Sequence, residues 1–120
     1  MKYLVVLLSL FPLQVAYSNC PQVCKGTEPF WNAEISEKSL TFQKIDEESQ
    51  TYTLENVQHA LGLQDDFLTK YQLRQEGAVK GTIFLLKTGN CSDGMSDEIF
   101  PYSVILDRDN DASLHYGCCK

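Results

Sequence analysis

The sequence is short of positive charge, and that deficit limits the partners the protein can have. Sixteen Asp and Glu outnumber ten Lys and Arg, and the net charge is −6. Proteins that bind nucleic acids or anionic membranes carry basic patches or stripes. We therefore predict no nucleic-acid partner and no anionic membrane partner. Neutral and cationic partners stay open.

The sequence also lacks an apolar run long enough to cross a membrane as a helix, which needs about 20 residues. Its apolar stretch, residues 4–11, follows Lys2 and precedes small residues that end at Ser18, as in a secretory signal. We predict a signal peptide over residues 1–18, one domain over residues 19–120 and no membrane span. The protein is then periplasmic or secreted. Lipid anchoring at Cys20 is the less favoured alternative, because the residues before it fit a lipoprotein signal poorly.

In place of long helical periodicity, the chain shows short alternating runs divided by turn residues, a pattern typical of half-buried strands. The alternating apolar positions are Trp31, Ala33 and Ile35; Leu40 and Phe42; Tyr52 and Leu54; Tyr71 and Leu73; Tyr102, Val104 and Leu106; Leu114 and Tyr116. Residues 82–86 are apolar on both faces and are predicted to be the most buried strand. We predict an all-β fold, a small antiparallel meander that forms a β-barrel or sandwich tied by disulfides. Residues 56–70 are ambiguous and could form one or two helical turns.

Five cysteines in a small exported chain indicate disulfides. If Leu114 and Tyr116 face the core, Cys118 faces it too and Cys119 points to the other side. This favours Cys91 with Cys118 and Cys24 with Cys119 and leaves Cys20 over, although spacing alone does not fix the pairing.

A zinc site built from these cysteines and His115 is the rival interpretation. It fits poorly, because Cys-x-x-Cys pairs are absent and adjacent cysteines do not easily ligate one tetrahedral ion. Residues 107–111 carry acids at every second position, as a calcium loop does, but Ala112 and Cys118 stand where Gly and Glu are required. A solvated hairpin turn is the better account. We therefore predict no metal and no cofactor.

Two segments are unusual enough to suggest a site: residues 26–31 (GTEPFW) and residues 91–97 (CSDGMSD). Pro29 suits a strand entry, and a large aromatic after it usually serves packing, here as a plug at one end of a barrel. In the second segment the acids can bond their own backbone and make a rigid loop. The predicted ligand-binding residues are Glu28, Trp31, Ser92, Asp93, Met95 and Asp97.

Together with Pro101-Tyr102 and the closing residues 116–119 (YGCC), these two segments resemble an uncharacterised bacterial envelope family whose members are usually labelled predicted membrane proteins or lipoproteins. The resemblance implies an exported bacterial protein in which Cys91 is joined to one of the terminal cysteines. It implies no known activity. The chain departs from lipid-anchored relatives at the weak signal before Cys20. A looser similarity, of fold and size only, is to small envelope barrels that inhibit lysozyme.

These observations support three hypotheses. The first is a non-enzymatic binding or structural module whose partner is a small molecule or an envelope protein. It requires that the two unusual segments meet at one end of the barrel. The second is an inhibitor of a cationic cell-wall hydrolase. The third is hydrolytic or redox chemistry by Ser92, His115 or an unpaired thiol, for which no nucleophile elbow surrounds Ser92. We predict that the protein is not an enzyme.

Overall fold

The computed structural model describes residues 22–27, 29–64 and 66–120. The predicted signal peptide, Cys20 and Glu28 lie outside these residues. The described part of the chain forms the strands β1 (Val23–Thr27), β2 (Phe30–Ile35), β3 (Ser39–Lys44), β4 (Gln50–His59), β5 (Leu68–Gln75), β6 (Ala78–Leu86), β7 (Cys91–Ser92), β8 (Ile99–Phe100), β9 (Tyr102–Arg108) and β10 (His115–Cys119).

Eight of these strands close into an antiparallel barrel. They follow one another around it in the order β1, β2, β3, β4, β5, β6, β9 and β10, and β10 pairs back with β1. The remaining two, β7 and β8, pair only with each other and form a small sheet outside the barrel. The predicted all-β meander is therefore confirmed. Because the barrel is closed, its sheet has no free edge strand.

Alternating side chains from all eight barrel strands fill the interior. Because side chains on a strand point to opposite faces in turn, each run contributes every second residue to one continuous core. Burial of a large apolar side chain stabilises a fold by about 1.5–3 kcal/mol, so this core is the main source of stability. Its buried members are Cys24, Trp31, Ala33, Leu40, Phe42, Tyr52, Leu73, Ile83, Leu85, Tyr102, Val104, Leu106 and Cys119.

The predicted orientation of the last strand was wrong. Leu114 and Tyr116 point outward, and the inward residues of β10 are His115, Gly117 and Cys119. The reason is the indole of Trp31, which lies against Gly117. A Cβ added there would lie 2.8 Å from the carbonyl carbon of Lys25 and 3.0 Å from Cζ2 of the indole. Because Gly117 has no side chain, the alternation of apolar residues did not show that this position faces inward.

Both predicted disulfides are present. Cys24 and Cys119 stand opposite each other on β1 and β10 and are joined inside the barrel. Cys91 and Cys118 are joined outside it, so the two terminal cysteines face the reverse of the predicted sides. On the chain-entropy account, bridges across separations of 95 and 27 residues stabilise by about 4.7 and 3.5 kcal/mol respectively.

The ambiguous segment after residue 56 extends β4 rather than forming helical turns. Gln58 and His59 pair with Lys70 and Thr69 of β5, after an irregularity in the register at which Asn56 adopts a φ of 48°. Pairing with a neighbouring strand outweighs the weak local helical preference here.

Strand β6 is buried on one face only. Ile83 and Leu85 point into the core, whereas Phe84 and Leu86 lie half-buried on the outside. The prediction that residues 82–86 form the most buried strand was therefore wrong, since β9 and β10 each bury more of their residues.

Candidate functional site

The external hairpin, which we define as β7, β8 and the loop 93–98 between them, lies against the outer side of the barrel. Its anchor is a small core of Cys91, Phe100 and Cys118. The Nζ atoms of Lys25 and Lys120 lie 5.3 and 5.6 Å from the centre of the Phe100 ring, within the range of a cation–π contact. A disulfide and a buried aromatic therefore fix both strands of the hairpin to β10 and its surroundings.

The loop 93–98 satisfies much of its own hydrogen bonding. The backbone N–H groups of Met95 and Ser96 donate to Oδ1 of Asp93, at 2.9 and 3.1 Å. Gly94 N–H donates to Oγ of Ser92 at 3.2 Å, and Glu98 N–H donates to Oγ of Ser96 at 3.3 Å. These are the Asx-type and hydroxyl turns expected from the composition of the loop.

Asp93 is the organising residue of this loop. The N–H of Met95 is the largest cause that holds the pKa of its carboxyl below the ordinary value of 3.8; the Ser96 N–H and the charge of Lys25 act in the same direction. Hydrogen bonds to a carboxylate favour its charged form. The loop therefore depends on the ionised state of Asp93.

The two unusual segments meet, as the binding hypothesis requires. Oγ1 of Thr27, at the end of β1, donates to the backbone oxygen of Asp93 at 3.3 Å. The contact joins the end of β1 to the external hairpin. Thr27 of the first segment and Asp93 of the second are therefore neighbours.

The predicted ligand-binding residues divide into three groups. Ser92, Met95 and Asp97 are exposed on the external hairpin and Asp93 is partly exposed beside them. Trp31 is only 1% exposed and lies inside the barrel, stacked on Phe42. Glu28 lies outside the described residues. The surface that the structure brings together is therefore the hairpin loop.

A buried polar cluster, which sequence reasoning missed, lies next to Trp31. The carboxylate of Asp111 accepts a hydrogen bond of 2.7 Å from Nε2 of His115, which is 5% exposed. The His115 ring lies 5.9 Å from the Trp31 ring and 5.4 Å from that of Phe42, between centres. The turn that contains Asp111 was predicted to be solvated, but this acid turns inward and ties the turn to β10.

Arg108 completes the cluster. Its guanidinium lies 4.2 Å from the centre of the Phe42 ring, and Nε donates to the hydroxyl of Tyr52 at 3.1 Å. Nη1 lies 3.4 Å from Oδ2 of Asp111 without hydrogen-bond geometry, so we treat this contact as charge attraction. The i, i+3 and i, i+4 spacing of Arg108, Asp111 and His115 across a predicted turn is the signal that could have revealed the cluster.

The geometry separates the residues of the hydrolytic hypothesis. His115 points into the barrel and bonds to Asp111, whereas Ser92 and Asp97 are exposed on the external hairpin. Within residues 22–27, 29–64 and 66–120, no group of three or more His, Cys, Asp or Glu is arranged to hold a metal ion.

Comparisons with protein-family models, curated proteins and solved structures find no match to this chain. The resemblance to an envelope family accordingly stays a prediction from the two motifs. A membrane-spanning helix is not found in the part of the chain that the structure describes.

We expect Asp93→Ala to loosen the loop while the barrel stays folded, because only the bonds to Met95 and Ser96 are lost. Amide hydrogen exchange at these two positions should accelerate, and Asp97→Ala is the matched control. An NMR titration should give the Asp93 carboxyl a pKa below 3.8. The ionised carboxylate stabilises the loop fully above the pKa of the unfolded state, and this stabilisation is lost as the pH falls through the lower pKa of the folded state. Unchanged exchange in Asp93→Ala would contradict this assignment.

Proposed function

We propose that the protein is an exported, non-enzymatic binding module of the bacterial envelope, periplasmic or secreted, and that the external hairpin is its binding surface. Two disulfides support residence in an oxidising compartment. The motifs of residues 26–31 and 91–97 support the assignment to the envelope.

The observation that carries the proposal is the display of Met95. Its side chain is 77% exposed, at the centre of a loop that is held by Asp93 and anchored through Cys91. Held this way, together with the exposed Ile99 at the other end of the loop, the side chain offers apolar contact surface to a partner. Because the loop is ordered before binding, association loses little conformational entropy.

The shape of the surface favours a protein as the partner over a small molecule. The loop protrudes from the barrel wall, whereas small-molecule sites are concave and enclose most of their ligand. Met95 and the exposed Ile99 supply apolar contacts, and the acids Asp97 and Glu98 lie between them in sequence. A partner with an apolar cleft and a basic rim fits this arrangement.

Inhibition of a cationic cell-wall hydrolase is the second candidate, because the same acids and the net charge of −6 suit a basic enzyme. Its test is lysozyme activity in the presence of the protein at several salt concentrations. Inhibition that weakens with salt supports it, since salt screens exposed charges. Full lysozyme activity at low salt rejects it.

Photo-crosslinking tests the binding proposal. A photoreactive amino acid replaces Met95 in one variant and the exposed Asp109, in the turn between β9 and β10, in a control. In the cells that make the protein, we expect one adduct of defined mass from position 95 and none from position 109. The adduct should weaken when Asp93→Ala is added. Equal adducts from both positions, or none from position 95, would contradict the proposal.

A further inference from the structure

Two aromatic side chains are exposed among those that the structure describes: Phe30, at 46%, and Tyr116, at 62%. The other Phe, Tyr and Trp side chains of the described residues are buried or half-buried. Aromatic side chains usually serve packing, and on protein surfaces they are enriched at interfaces. The positions of these two rings therefore bear on the proposed binding surface.

Both rings border the start of the external hairpin loop. Strand pairing sets Phe30 of β2 opposite Thr27 of β1, and the register of β10 with β1, continued by two residues, sets Tyr116 opposite Thr27 as well. Directly opposite residues have Cβ atoms about 4.5–5.5 Å apart. Thr27 is also the residue that bonds to the backbone oxygen of Asp93, and the hydroxyl of Tyr116 lies 3.8 Å from Sγ of Cys91. Phe30 and Tyr116 thus lie on the two sides of the point where the loop touches the barrel.

The loop and the two rings together make a ridge rather than a flat face. Because the barrel wall curves from β2 through β1 to β10, the two rings face outward in different directions. Met95, which is 77% exposed, is displayed by the loop itself. A partner cleft that encloses the loop therefore places its rims on the two flanks, where the rings of Phe30 and Tyr116 lie.

The rings favour basic groups on those rims. A Lys ammonium or an Arg guanidinium is attracted to the face of an aromatic ring when it lies within about 6 Å of the ring centre. Phe100, at the base of the same hairpin, already holds Lys25 and Lys120 in this way. The rings of Phe30 and Tyr116 are exposed and so can receive cations from outside the protein.

Charge on the loop supports the same kind of partner. Glu98 is neutralised by Lys120, whose Nζ lies 2.8 Å from its carboxylate, but Asp97 is exposed beside it. The net charge of the chain is −6. Complementary charges draw partners together, and like charges suppress wrong ones. A basic rim is therefore attracted by the loop and by the rings, whereas an acidic rim is repelled by the loop.

We propose that Phe30 and Tyr116 determine specificity at the binding surface by receiving arginine or lysine side chains from the rim of a basic protein partner. The inference rests on the proposed binding function and adds to it the class of partner and the residues that select it. Leucine at either position keeps apolar surface but removes the negative face of the ring, so the role of the ring itself can be measured.

An NMR titration of the disulfide-intact protein with a synthetic peptide of alternating arginine and leucine tests this chemistry. We expect the ring protons of Phe30 and Tyr116 to shift together with the amides of the loop. The dissociation constant should rise about two- to fivefold in Phe30→Leu and in Tyr116→Leu. Leu61→Ala, at a site that is 98% exposed between β4 and β5, is the control and should leave the dissociation constant unchanged.

A peptide with glutamate in place of arginine should not bind. Ring shifts that are absent, or that are equal with the two peptides, overturn the inference, as does an unchanged dissociation constant in both leucine variants. Ring shifts caused instead by a neutral oligosaccharide, a tetramer of N-acetylglucosamine, assign the rings to sugar stacking and also overturn it.

Crosslinking separates this inference from the proposed function. An aromatic photoreactive amino acid at position 30 or 116 keeps a ring there, and we expect each to give an adduct of the same mass as the adduct from position 95. An adduct from position 95 with none from positions 30 and 116 overturns the role of the rings and leaves the loop as the binding surface. No adduct from position 95 rejects the proposed function, and this inference with it.

Discussion

Replacing Trp31 with alanine is expected to lower the free energy of unfolding by about 3–5 kcal/mol, the usual cost of removing a fully buried Trp. The indole stacks on Phe42 at 5.7 Å between ring centres and fills the space left open by Gly26 and Gly117. Its loss leaves a cavity between two strands whose glycines have no side chain to fill it. The total free energy of unfolding of a domain of this size is about 5–15 kcal/mol, so this substitution removes a large share of it.

Urea unfolding followed by circular dichroism measures this change, with Phe30→Ala as the matched control. Phe30 is the preceding residue and is 46% exposed, so its truncation should cost under about 1 kcal/mol. Similar losses in the two variants would contradict the placement of Trp31 as the interior plug.

Replacing Asp111 with alanine is expected to cost about 3 kcal/mol. The substitution leaves Arg108 and His115, whose side chains are 11% and 5% exposed, without the carboxylate that both face. Removal of one partner from a buried charge pair costs about 3–5 kcal/mol, and the slight exposure of this cluster places it at the low end. Asp111→Asn should cost less, because the amide oxygen still accepts a hydrogen bond from His115.

The control for this variant is Asp109→Ala, two residues earlier in the same turn and exposed. Its free energy of unfolding should change by no more than about 0.5 kcal/mol. If Asp111→Ala is as stable as Asp109→Ala, then Asp111 is solvated, as the sequence alone suggested, and the buried cluster does not form.

The barrel was predictable because most of its strands bury one face and follow strict alternation. Leu40 and Phe42 on β3, or Val104 and Leu106 on β9, mark their inward positions without help from the rest of the fold. The last strand was not predictable in this way, because its inward residues are a histidine, a glycine and a cysteine. Their apolar environment comes from Trp31, which is distant in sequence.

The candidate site was predictable in its loop and not in its surroundings. The turn chemistry of Asp93 follows from residue types within three positions of it, so composition sufficed. Trp31 was predicted to be both a plug and a binding residue, and only its burial is seen. Asp111 was missed because residues that surround the cluster come from strands distant in sequence: Lys44 of β3 faces Asp111, and Tyr52 of β4 accepts a hydrogen bond from Arg108.

The proposed partner contact depends on a hairpin that is fixed to the barrel wall, because a free hairpin would not hold Met95 in a defined position.

Peptide mapping of the native exported protein under non-reducing conditions, after alkylation of free thiols, tests the attachment of the external hairpin most directly. We predict no alkylation at Cys91 and one cluster of three peptides, because adjacent Cys118 and Cys119 share a peptide that is linked both to the Cys91 peptide and to the Cys24 peptide. Fragmentation of the cluster between residues 118 and 119 should assign Cys91 to Cys118 and Cys24 to Cys119. Alkylated Cys91 in the native protein, or Cys91 linked to any cysteine other than Cys118, would contradict the account.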